Sequence, residues 1–432
     1  MKILITGVCD FIGGALIRKL LTTTDHEILN LDKFGYASDH LSIDQTINQL
    51  KTNKYKLFKI DLNNKNKLEE IIQNFEPDLI MHLAAESHVD RSIESPRHFI
   101  ESNILGTFNL LESCRKFFYS LNQEKKSKFI FHHISTDEVF GSLGEKGRFS
   151  ESTPYDPRSP YSASKASSDH LVRSWYHTFG LPVIVTNCSN NYGPWQFPEK
   201  LIPLVTLKAI HSEKIPIYGD GSNVRDWLFV EDHVDALILS AMKGEIGETY
   251  CIGGFGERTN LEVVEKICDI LDDLTPKSFK HRDLISFVED RKGHDKRYSI
   301  NSEKIQNIVN KLKDRINFIQ ISPSKFAKKK SCFLENVKVF KDVFTYRETI
   351  YFAGFAKLCL LPEGGLAIGI SSQKTKTIVI YSNKFTENKR KLPQAFELFS
   401  DPGLVREAEV SLKEMFFRSL GRRWGHRRNQ WH

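Results

Sequence analysis

Two short motifs carry residues whose types and spacing are suited to acid–base chemistry. The first is Ser135-Thr136-Asp137-Glu138, in which two carboxylates follow directly after a predicted strand. The second is Tyr161-Ser162-Ala163-Ser164-Lys165, in which a tyrosine and a lysine are separated by one helical turn. A Tyr–Lys pair can take a proton from a hydroxyl group while hydride leaves the same carbon. Paired carboxylates can move protons at the neighbouring carbon, so the motifs together predict oxidation and then dehydration of a sugar.

The spacing of four residues places Tyr161 and Lys165 on the same face of a helix. Tyrosine alone is a poor base, because its ordinary pKa is about 10. We expect the ammonium group of Lys165 to lower the pKa of Tyr161 and to hydrogen-bond a nicotinamide ribose. Such a pair also arises by chance, with a packed tyrosine and an exposed lysine. Its place after a strand that ends in Ser135-Thr136 favours the catalytic interpretation.

The chain opens with a strand, a tight turn and a helix, Thr6-Gly7-Val8-Cys9-Asp10-Phe11-Ile12-Gly13. In a dinucleotide-binding fold, the N–H groups of such a turn and the helix N-terminus hold a pyrophosphate. Asp32 ends the second predicted strand, where it can accept hydrogen bonds from an adenosine ribose. A 2′-phosphate would meet a like charge there, so NAD is favoured over NADP, although Lys33 weakens the preference slightly. Asp61 and Leu83-Ala84-Ala85, after the next two strands, strengthen the prediction of a cofactor site.

Asp10 occupies the middle position of this turn, where glycine normally lets the backbone approach the phosphates closely. A carboxylate ~5 Å from a phosphate charge costs about 3 kcal/mol at an effective dielectric of ~20. We therefore expect the affinity for NAD to be lowered by Asp10 and not abolished.

Residues 1–190 alternate short β-branched runs with longer amphipathic stretches, which is typical of a parallel sheet built from βαβ units. The predicted strands are Lys2–Thr6, Ile28–Asp32, Lys56–Ile60, Leu79–Leu83, Phe129–Ser135 and Val183–Asn187. The predicted helices are Phe11–Leu21, Lys67–Phe75, Phe99–Phe118 and Ala163–Thr178. In the third helix, Ile104, Phe108, Leu111 and Cys114 recur at helical spacing and predict one apolar face.

The rest of the chain predicts a smaller lobe and then a basic extension. Residues 191–304 are loop-rich, with helices expected near Pro203–His211 and Asn260–Asp273, and the chain can return from this lobe to the sheet. Residues 305–432 form a divergent segment whose fold is not predicted, although Thr349–Phe355, Leu366–Ile370 and Thr375–Tyr381 alternate like strands. The fold class is therefore α/β, a Rossmann-type doubly wound parallel sheet with a smaller C-terminal substrate lobe.

Composition limits the classes of protein to which the chain can belong. Its 432 residues are 40% hydrophobic and 27% charged, with a net charge of +7. From Gln306 onward basic residues outnumber acidic ones by 24 to 11, whereas before it acidic residues outnumber basic ones by 43 to 37. This asymmetry argues against a general nucleic-acid binder. Seven scattered cysteines without Cys-x-x-Cys spacing, and no signal peptide or apolar span, predict a cytoplasmic protein without bound metal.

The chain resembles the extended short-chain dehydrogenase/reductases and, among them, the dTDP-glucose 4,6-dehydratase family. The resemblance covers residues 1–305 and rests on several segments besides the two catalytic motifs. They are His82-Leu83-Ala84-Ala85-Glu86-Ser87-His88-Val89-Asp90-Arg91-Ser92, Asn190-Asn191-Tyr192-Gly193-Pro194, Tyr218-Gly219-Asp220-Gly221, Arg225-Asp226-Trp227 and Gly293-His294-Asp295.

The resemblance implies a role for each matching residue. Tyr161 would be the base at the sugar 4-hydroxyl, assisted by Lys165 and Thr136, while Glu138 removes the C5 proton and Asp137 protonates the departing 6-hydroxyl. Substrate contacts would fall on Ser87, Thr136, Asn190, Lys200, Leu201, Tyr218, Arg225, Asn260 and His294. Cofactor contacts would fall on Gly7, Phe11, Ile12, Gly13, Asp32, Lys33, Asp61, Leu62, Leu83, Ala84, Ala85, Ser102, Tyr161, Lys165 and Asn191. The implied cofactor is NAD, the ligand a nucleotide sugar, and the assembly a homodimer formed through the helices Phe99–Phe118 and Ala163–Thr178.

Three alternatives stay open from the sequence. The chain could be a related epimerase or a dehydratase for another nucleotide, although an epimerase has no use for Asp137 and Glu138. It could be a catalytically impaired chain that acts as an interaction module, because Asp10 and the segment after Lys304 depart from the family pattern. The basic extension could bind nucleic acid, but it contains no recognisable module, which favours a solvated segment.

Overall fold

The structure is a computed structural model that describes residues 1–313, 319–322, 338–341, 358–362 and 376–380. It divides the chain into two compact units, Met1–Ile308 and Val309–His432. No helix in the described ranges is long and apolar enough to cross a membrane.

Strands and helices alternate through most of the first unit, and the last four strands of the described residues, in chain order, belong to the second unit. The strands are β1 (Lys2–Thr6), β2 (Glu27–Asp32), β3 (Tyr55–Lys59), β4 (Leu79–His82), β5 (Ile130–Thr136), β6 (Val183–Cys188), β7 (Asn190–Tyr192), β8 (Ile215–Tyr218), β9 (Val224–Phe229), β10 (Thr249–Ile252), β11 (Glu257–Thr259), β12 (Ile285–Val288), β13 (Ile319–Ser322), β14 (Lys338–Lys341), β15 (Leu358–Pro362) and β16 (Lys376–Ile380). The α-helices are α1 (Phe11–Thr23), α2 (Leu41–Leu50), α3 (Lys65–Phe75), α4 (Val89–Glu94), α5 (Pro96–Phe99), α6 (Gly106–Ser120), α7 (Gln123–Lys126), α8 (Pro160–Phe179), α9 (Leu201–Ile210), α10 (Val230–Lys243), α11 (Asn260–Leu274) and α12 (Glu303–Lys313). A π-helical turn spans Ile100–Leu105, and 3-10 turns span Asp137–Phe140 and His281–Leu284.

Seven of these strands form one parallel sheet in the order β10-β6-β5-β4-β1-β2-β3. The central strands are buried on both faces, as expected where helices cover both sides of a parallel sheet. The predicted doubly wound fold and its six predicted strands are confirmed, with boundaries shifted by one residue at most.

Helices cover the sheet on both faces and divide the core into two layers. On one face the core includes Leu16 of α1 and Leu237 of α10. On the other it includes Leu68 of α3, Leu110 of α6 and Val172 of α8. The helices that follow β1 and β2 pack on the first face and those that follow β3, β4 and β5 pack on the second, because the strand order reverses beside β1 while all seven strands stay parallel. The carboxyl ends of the strands therefore meet at one edge.

The predicted helix Phe99–Phe118 is present, but it runs from Pro96 to Ser120 and is interrupted by the π-helical turn. Its predicted apolar face is only partly correct. Leu111 and Cys114 are buried, whereas Phe108 remains 38% exposed. The exposed side of this helix lies beside α8, because the Phe108 and Trp175 rings meet edge to face at 5.9 Å.

The second lobe has its own small core between α9, α11, β8 and β12, which includes Val205, Ile217 and Val264. The two helices predicted there are confirmed as α9 and α11. Between them the chain returns to the main sheet, where β10 pairs with β6 and α10 packs on the α1 face. Neither α10 nor β10 was located by the sequence patterns, because both lie inside a loop-rich stretch.

In the second unit the described residues form two parallel strand pairs, β13 with β14 and β15 with β16. The predicted strand Thr375–Tyr381 is confirmed as β16. The predicted strands Thr349–Phe355 and Leu366–Ile370 lie outside the described residues.

Candidate active site

The two catalytic motifs lie at the carboxyl edge of the parallel sheet. β5 ends at Thr136, and the chain turns at once into the 3-10 turn that begins with Asp137. Thr136 caps this turn, since its hydroxyl accepts a hydrogen bond from the Glu138 N–H (3.3 Å). On α8 a capping box between Ser159 and Ser162 fixes the start of the helix. Tyr161 therefore lies in the first turn of α8, and Lys165 follows one turn later.

A cleft of about 470 Å³ at this edge brings together residues from the sheet, from α8 and from the second lobe. The predicted residues that line it are Gly7, Phe11, Ile12, Gly13, Leu83, Ala85, Ser87, Thr136, Asp137, Glu138, Tyr161, Lys165, Asn190, Asn191, Lys200, Leu201, Tyr218, Arg225, Asn260 and His294. Every predicted catalytic residue and every predicted substrate residue thus borders the same space. Their positions are brought together only by the fold, because they come from segments spread over most of the first unit.

A second, smaller cavity of about 70 Å³ lies beside the ends of β1, β2 and β4. The remaining predicted cofactor residues line it, namely Asp32, Lys33, Asp61, Leu62, Ala84 and Ser102. Gly7, Leu83 and Ala85 border both spaces. An extended ligand such as a dinucleotide could therefore place one end in each.

The first turn of the chain is built so closely that only glycine fits at its start. Gly7 has a φ of +73°, and a Cβ there would lie 2.3 Å from the Cα of Ala84. Asp32 braces the same turn, because its Oδ2 accepts a hydrogen bond from the Cys9 N–H (2.8 Å). Its Oδ1 accepts one from the Phe34 N–H (2.7 Å). An ionised carboxylate has about four acceptor sites, so Asp32 can still accept from a ribose.

Asp10 is the N-cap of α1, and its Oδ1 accepts a hydrogen bond from the Phe11 N–H (2.7 Å). The residue borders both cavities and its side chain is open to solvent. The walls of the cleft nevertheless exclude enough water to raise the pKa of Asp10, while the bond from Phe11 and the charge of Lys200 act in the opposite direction. A dinucleotide that spans both cavities must pass this carboxylate.

Tyr161 and Lys165 are both buried at the floor of the cleft, with exposures of 7% and 4%. Burial raises the pKa of Tyr161 well above its ordinary value, and Glu138 raises it further. The net shift is therefore opposite to the lowering expected from Lys165, because burial is the largest influence on it. The Lys165 Nζ donates to the backbone oxygen of Ile134 (2.9 Å). Burial also lowers the pKa of Lys165.

Asp137 and Glu138 are neighbours in sequence but lie in different electrostatic environments. Burial raises the pKa of Asp137 well above its ordinary value, and the charge of Glu138 adds to the rise. Burial also raises the pKa of Glu138, but Arg291, Lys200 and Arg225 oppose that rise. Burial and Glu138 thus favour the protonated form of Asp137, while three cations favour the carboxylate form of Glu138. Such a difference between two nearby acids is how a protein assigns one as acid and the other as base.

Arg225 lies almost fully buried on the second-lobe side of the cleft. Its guanidinium donates to the backbone oxygens of Val224 (2.8 Å) and Asp295 (3.0 Å) and stacks 4.4 Å from the Tyr298 ring centroid. Burial lowers its pKa. Tyr298 also borders the cleft and was not identified from the sequence. The Tyr298 ring holds the planar guanidinium of Arg225 in place, and a fixed guanidinium is suited to binding phosphate oxygens.

Three further polar residues of the cleft wall, Arg291, Tyr36 and Glu199, were also missed by the sequence analysis. Arg291 lies 3.7 Å from a carboxylate oxygen of Asp90, and it is two residues before the Gly293-His294 motif that could have signalled it. The Tyr36 hydroxyl donates to Glu199 (2.7 Å) and joins the loop after β2 to the loop before α9. Tyr36 and Glu199 are 163 residues apart in the chain, so no local pattern connects them.

Unpaired polar atoms on the cleft wall are consistent with the binding of a nucleotide cofactor and a polar ligand. Seven residues on this wall, among them Ser135, Asp137 and Asn190, each have a buried polar atom with no hydrogen-bond partner within the described part of the chain. Unpaired buried polar groups cost about 1–3 kcal/mol each, and a ligand would satisfy them. Among the described residues no cluster of His, Cys, Asp and Glu is arranged to hold a metal ion.

Comparison with known proteins agrees with this geometry. A family model described as GDP-mannose 4,6 dehydratase matches residues 4–318. The dTDP-glucose 4,6-dehydratase of Salmonella typhimurium is 51% identical over 314 residues, which are 71% of this chain and 86% of the relative. The dTDP-glucose 4,6-dehydratase of Bacillus anthracis, solved in complex with NAD, is 41% identical with a TM-score of 0.63, covering 72% of this chain and 90% of that one. The enzyme of the same name from Streptomyces venezuelae, solved with NAD and TYD bound, is 38% identical with a TM-score of 0.64, covering 71% and 90%. The chain therefore belongs to the dTDP-glucose 4,6-dehydratase family.

Proposed function

We propose that this chain is an NAD-dependent dTDP-glucose 4,6-dehydratase that converts dTDP-glucose to dTDP-4-keto-6-deoxyglucose. The observation that carries the proposal is the convergence of Tyr161, Asp137 and Glu138 on one cleft. Oxidation at C4 needs a base at the hydroxyl, and elimination of water needs a base at C5 and an acid at the 6-hydroxyl. An epimerase needs only the first of these groups, so the pair of carboxyls favours a dehydratase.

NAD, when bound, accepts hydride from C4 and returns it to C6. Burial raises the pKa of Tyr161, whereas its hydrogen bond with Thr136 lowers it, and the positive charge of a bound nicotinamide would lower it further. Tyr161 then takes the proton of the 4-hydroxyl as C4 is oxidised, and the Thr136 hydroxyl, beside it on the cleft wall, helps to orient the sugar. The resulting ketone acidifies the proton at C5. A positioned acid or base contributes about 10²–10⁴-fold to the rate of such a step.

Glu138 then removes the C5 proton, and Asp137 protonates the 6-hydroxyl so that it leaves as water. Protonated Glu138 returns a proton to C5 as hydride reaches C6. The pKa of Asp137 is raised well above its ordinary value, so it carries the proton that this step requires. Glu138 is surrounded by cations that favour its charged form, so it can accept one. The two carboxyls therefore have separate roles that follow from their environments.

Residues on the second-lobe side bind the nucleotide part of the substrate. Arg225 is the partner for the diphosphate, and Lys200, whose Nζ donates to the Ser87 backbone oxygen (3.3 Å), adds a second positive charge. Tyr218 is 43% exposed and meets the His294 ring edge to face at 6.3 Å, which suits an aromatic contact with the base. Ser87, Asn190, Leu201 and Asn260 complete this side of the cleft.

The residues between the smaller cavity and Tyr161 would hold NAD. Asp32 would bind the adenosine ribose, and the turn from Gly7 to Gly13 would bind the pyrophosphate. Asn191 and Lys165 would support the nicotinamide half. Lys33 forms an ion pair with Glu86 (2.7 Å) and donates to Ser102 (3.2 Å), which closes the outer side of the smaller cavity.

The test is to incubate the protein with NAD and dTDP-glucose and to measure the absorbance that a 4-keto sugar develops in alkali. In E138Q, product should fall at least ~100-fold, because the base at C5 is lost. The same variant should still reduce NAD, since Tyr161 is intact. E145Q is the matched control, because Glu145 lies exposed in the nearby loop and does not border the cleft. Absence of product from the wild type, or full activity of E138Q, would contradict the proposal.

The proposed assembly is a homodimer formed through α6 and α8 in the cytoplasm. Ile100, Leu105, Phe108 and Tyr119 leave between 38% and 49% of their surface exposed along one helix. The Tyr119 hydroxyl donates to the Phe179 backbone oxygen (3.0 Å), so this row continues onto α8. An exposed apolar strip of this kind is typical of a protein interface.

The proposed domains are a cofactor domain at 1–190 that carries the catalytic residues, a nucleotide-sugar lobe at 191–304 and a basic extension at 305–432. The return of α10 and β10 to the main sheet supports a second lobe that is an insertion into the cofactor domain.

A second candidate is a catalytically impaired chain that acts as an interaction module. Asp10 is the observation that favours it, because its carboxylate lies where the cofactor must pass. Protein that neither contains NAD after purification nor responds to added NAD would support this candidate over the first.

A further inference from the structure

We infer that Asp169 is a positioning residue for the reaction: from behind the catalytic groups it holds Thr136 in place and balances the charge of Lys165. The inference rests on the proposed function. Asp169 lies on α8 one turn after Lys165 and has no exposed surface. It does not border either cavity, so it cannot touch the substrate or cofactor.

Three donors from three parts of the fold converge on the Asp169 carboxylate. The His133 Nε2 of β5 lies 3.0 Å from Oδ1. The Tyr155 hydroxyl (2.7 Å) and the Asn187 side-chain amide of β6 (3.1 Å) both donate to Oδ2. Burial alone would raise the pKa of Asp169, yet the hydrogen bonds from His133 and Tyr155 and the charge of Lys165 hold it at about 2. A buried carboxylate with this many partners stays ionised.

Asn187 connects this carboxylate to the catalytic turn. Its Nδ2 has two N–H groups, and besides Asp169 it donates to the backbone oxygen of Thr136 (3.0 Å). Thr136 is the residue that caps the Asp137 turn. The planar amide thus fixes the distance between α8, which carries Tyr161, and the strand end that carries Asp137. Movement of either element would break one of the two bonds.

Lys165 needs a nearby anion because it is buried and its Nζ donates to a neutral oxygen. The other titratable groups facing Lys165 and Asp169 are His82, His133, Tyr155, Arg173 and Cys188. Burial holds the pKa of His82 well below its ordinary value. Burial lowers the pKa of His133 to about 4 and raises that of Cys188 to about 12, so both are neutral near pH 7. Arg173 donates to the Tyr155 hydroxyl (2.7 Å) and is itself a cation. Asp169 is therefore the charge that keeps Lys165 protonated.

The two roles are separated by two substitutions. In D169N the charge is removed, so the pKa of Lys165 falls and its ammonium form is lost at a lower pH. The alkaline limb of the kcat profile should move down by about 1 to 2 pH units, as expected for a charge ~6 Å away at a dielectric of ~20. In N187A the charge remains but the link to Thr136 is cut. We expect kcat to fall about tenfold or more with KM little changed, and the limb to stay in place.

D156N is the matched control, because Asp156 is an exposed carboxylate that accepts from Arg158 and borders neither cavity. Its kcat and its pH limb should stay close to those of the wild type, and thermal unfolding should show any loss of stability. If the alkaline limb of the plot of kcat against pH is the same in D169N as in the wild type, Asp169 does not keep Lys165 protonated. If D169N does not fold, N187A decides alone, and turnover within twofold of the wild type would overturn the positioning role.

A second readout does not depend on activity. Lysine labelled with ¹³C at Cε reports the titration of each ammonium group by NMR, and K165M identifies the resonance of Lys165. That resonance should titrate at a lower pH in D169N than in the wild type, and an unchanged titration would overturn the inference. A wild type that makes no product would count against the proposed function, while this titration would still decide the role of Asp169.

Discussion

Replacing Asp10 with glycine should tighten the binding of NAD. The Asp10 carboxylate borders both cavities and already accepts the Phe11 N–H at the start of α1, which is the kind of donor that a pyrophosphate uses. The full repulsion from a phosphate charge ~5 Å away is about 3 kcal/mol at a dielectric of ~20. Because the Asp10 side chain is open to solvent, screening by water and salt reduces this repulsion energy. We therefore expect D10G to improve the binding free energy of NAD by roughly 1.4 to 2.7 kcal/mol, which lowers Kd about 10- to 100-fold.

The assay is titration of cofactor-free protein with NAD by calorimetry. D10N keeps an acceptor at the helix start but removes the charge, so it should gain less than D10G. D25N is the matched control, because Asp25 is an exposed carboxylate that precedes β2 at the opposite edge of the sheet. Its Kd should equal that of the wild type. A D10G protein whose Kd lies within twofold of the wild-type value would refute the reasoning.

Three further outcomes are expected. Wild-type NAD affinity should rise on acidification, because the raised pKa of Asp10 lets it lose its charge as the pH falls, and titrations of D10N should show no such rise. G7A should lower the melting temperature or prevent folding, since a Cβ there meets Ala84 at 2.3 Å, whereas G144A, with nothing within 4 Å, should not. F108E should convert a dimer to a species of 49.8 kDa in light scattering, and a wild type that is already monomeric would disprove the proposed interface.

Local sequence signals predicted most of the sheet. β1, β2 and β6 are short apolar runs bounded by turn residues, and α3 and α8 show helical spacing that a window of a dozen residues can reveal. The sequence patterns did not locate α10 and β10, because the positions of these elements are set by contacts with α1 and β6, which are distant in the chain. The apolar spacing of α6 was read correctly, but spacing alone cannot say whether Phe108 faces the core or an interface.

The catalytic types and their spacing were visible without a structure, because a strand end and a helix start fix Thr136, Asp137, Tyr161 and Lys165 locally. The pKa shifts of these residues could not be predicted from the sequence. The pKa of Tyr161 is raised where sequence spacing suggested that it would be lowered, because burial raises it and the charge of Glu138 adds to the rise.

By itself, the sequence determined the parallel sheet, the nucleotide turn and the identity of the acid–base groups, since each depends on residues close together in the chain. Only the tertiary structure decided what surrounds those groups. Arg291 beside Glu138, His133 against Asp169 and Glu199 against Tyr36 all depend on distant segments that meet in space. Charge and burial act through distance in three dimensions, and no spacing along the chain records that distance.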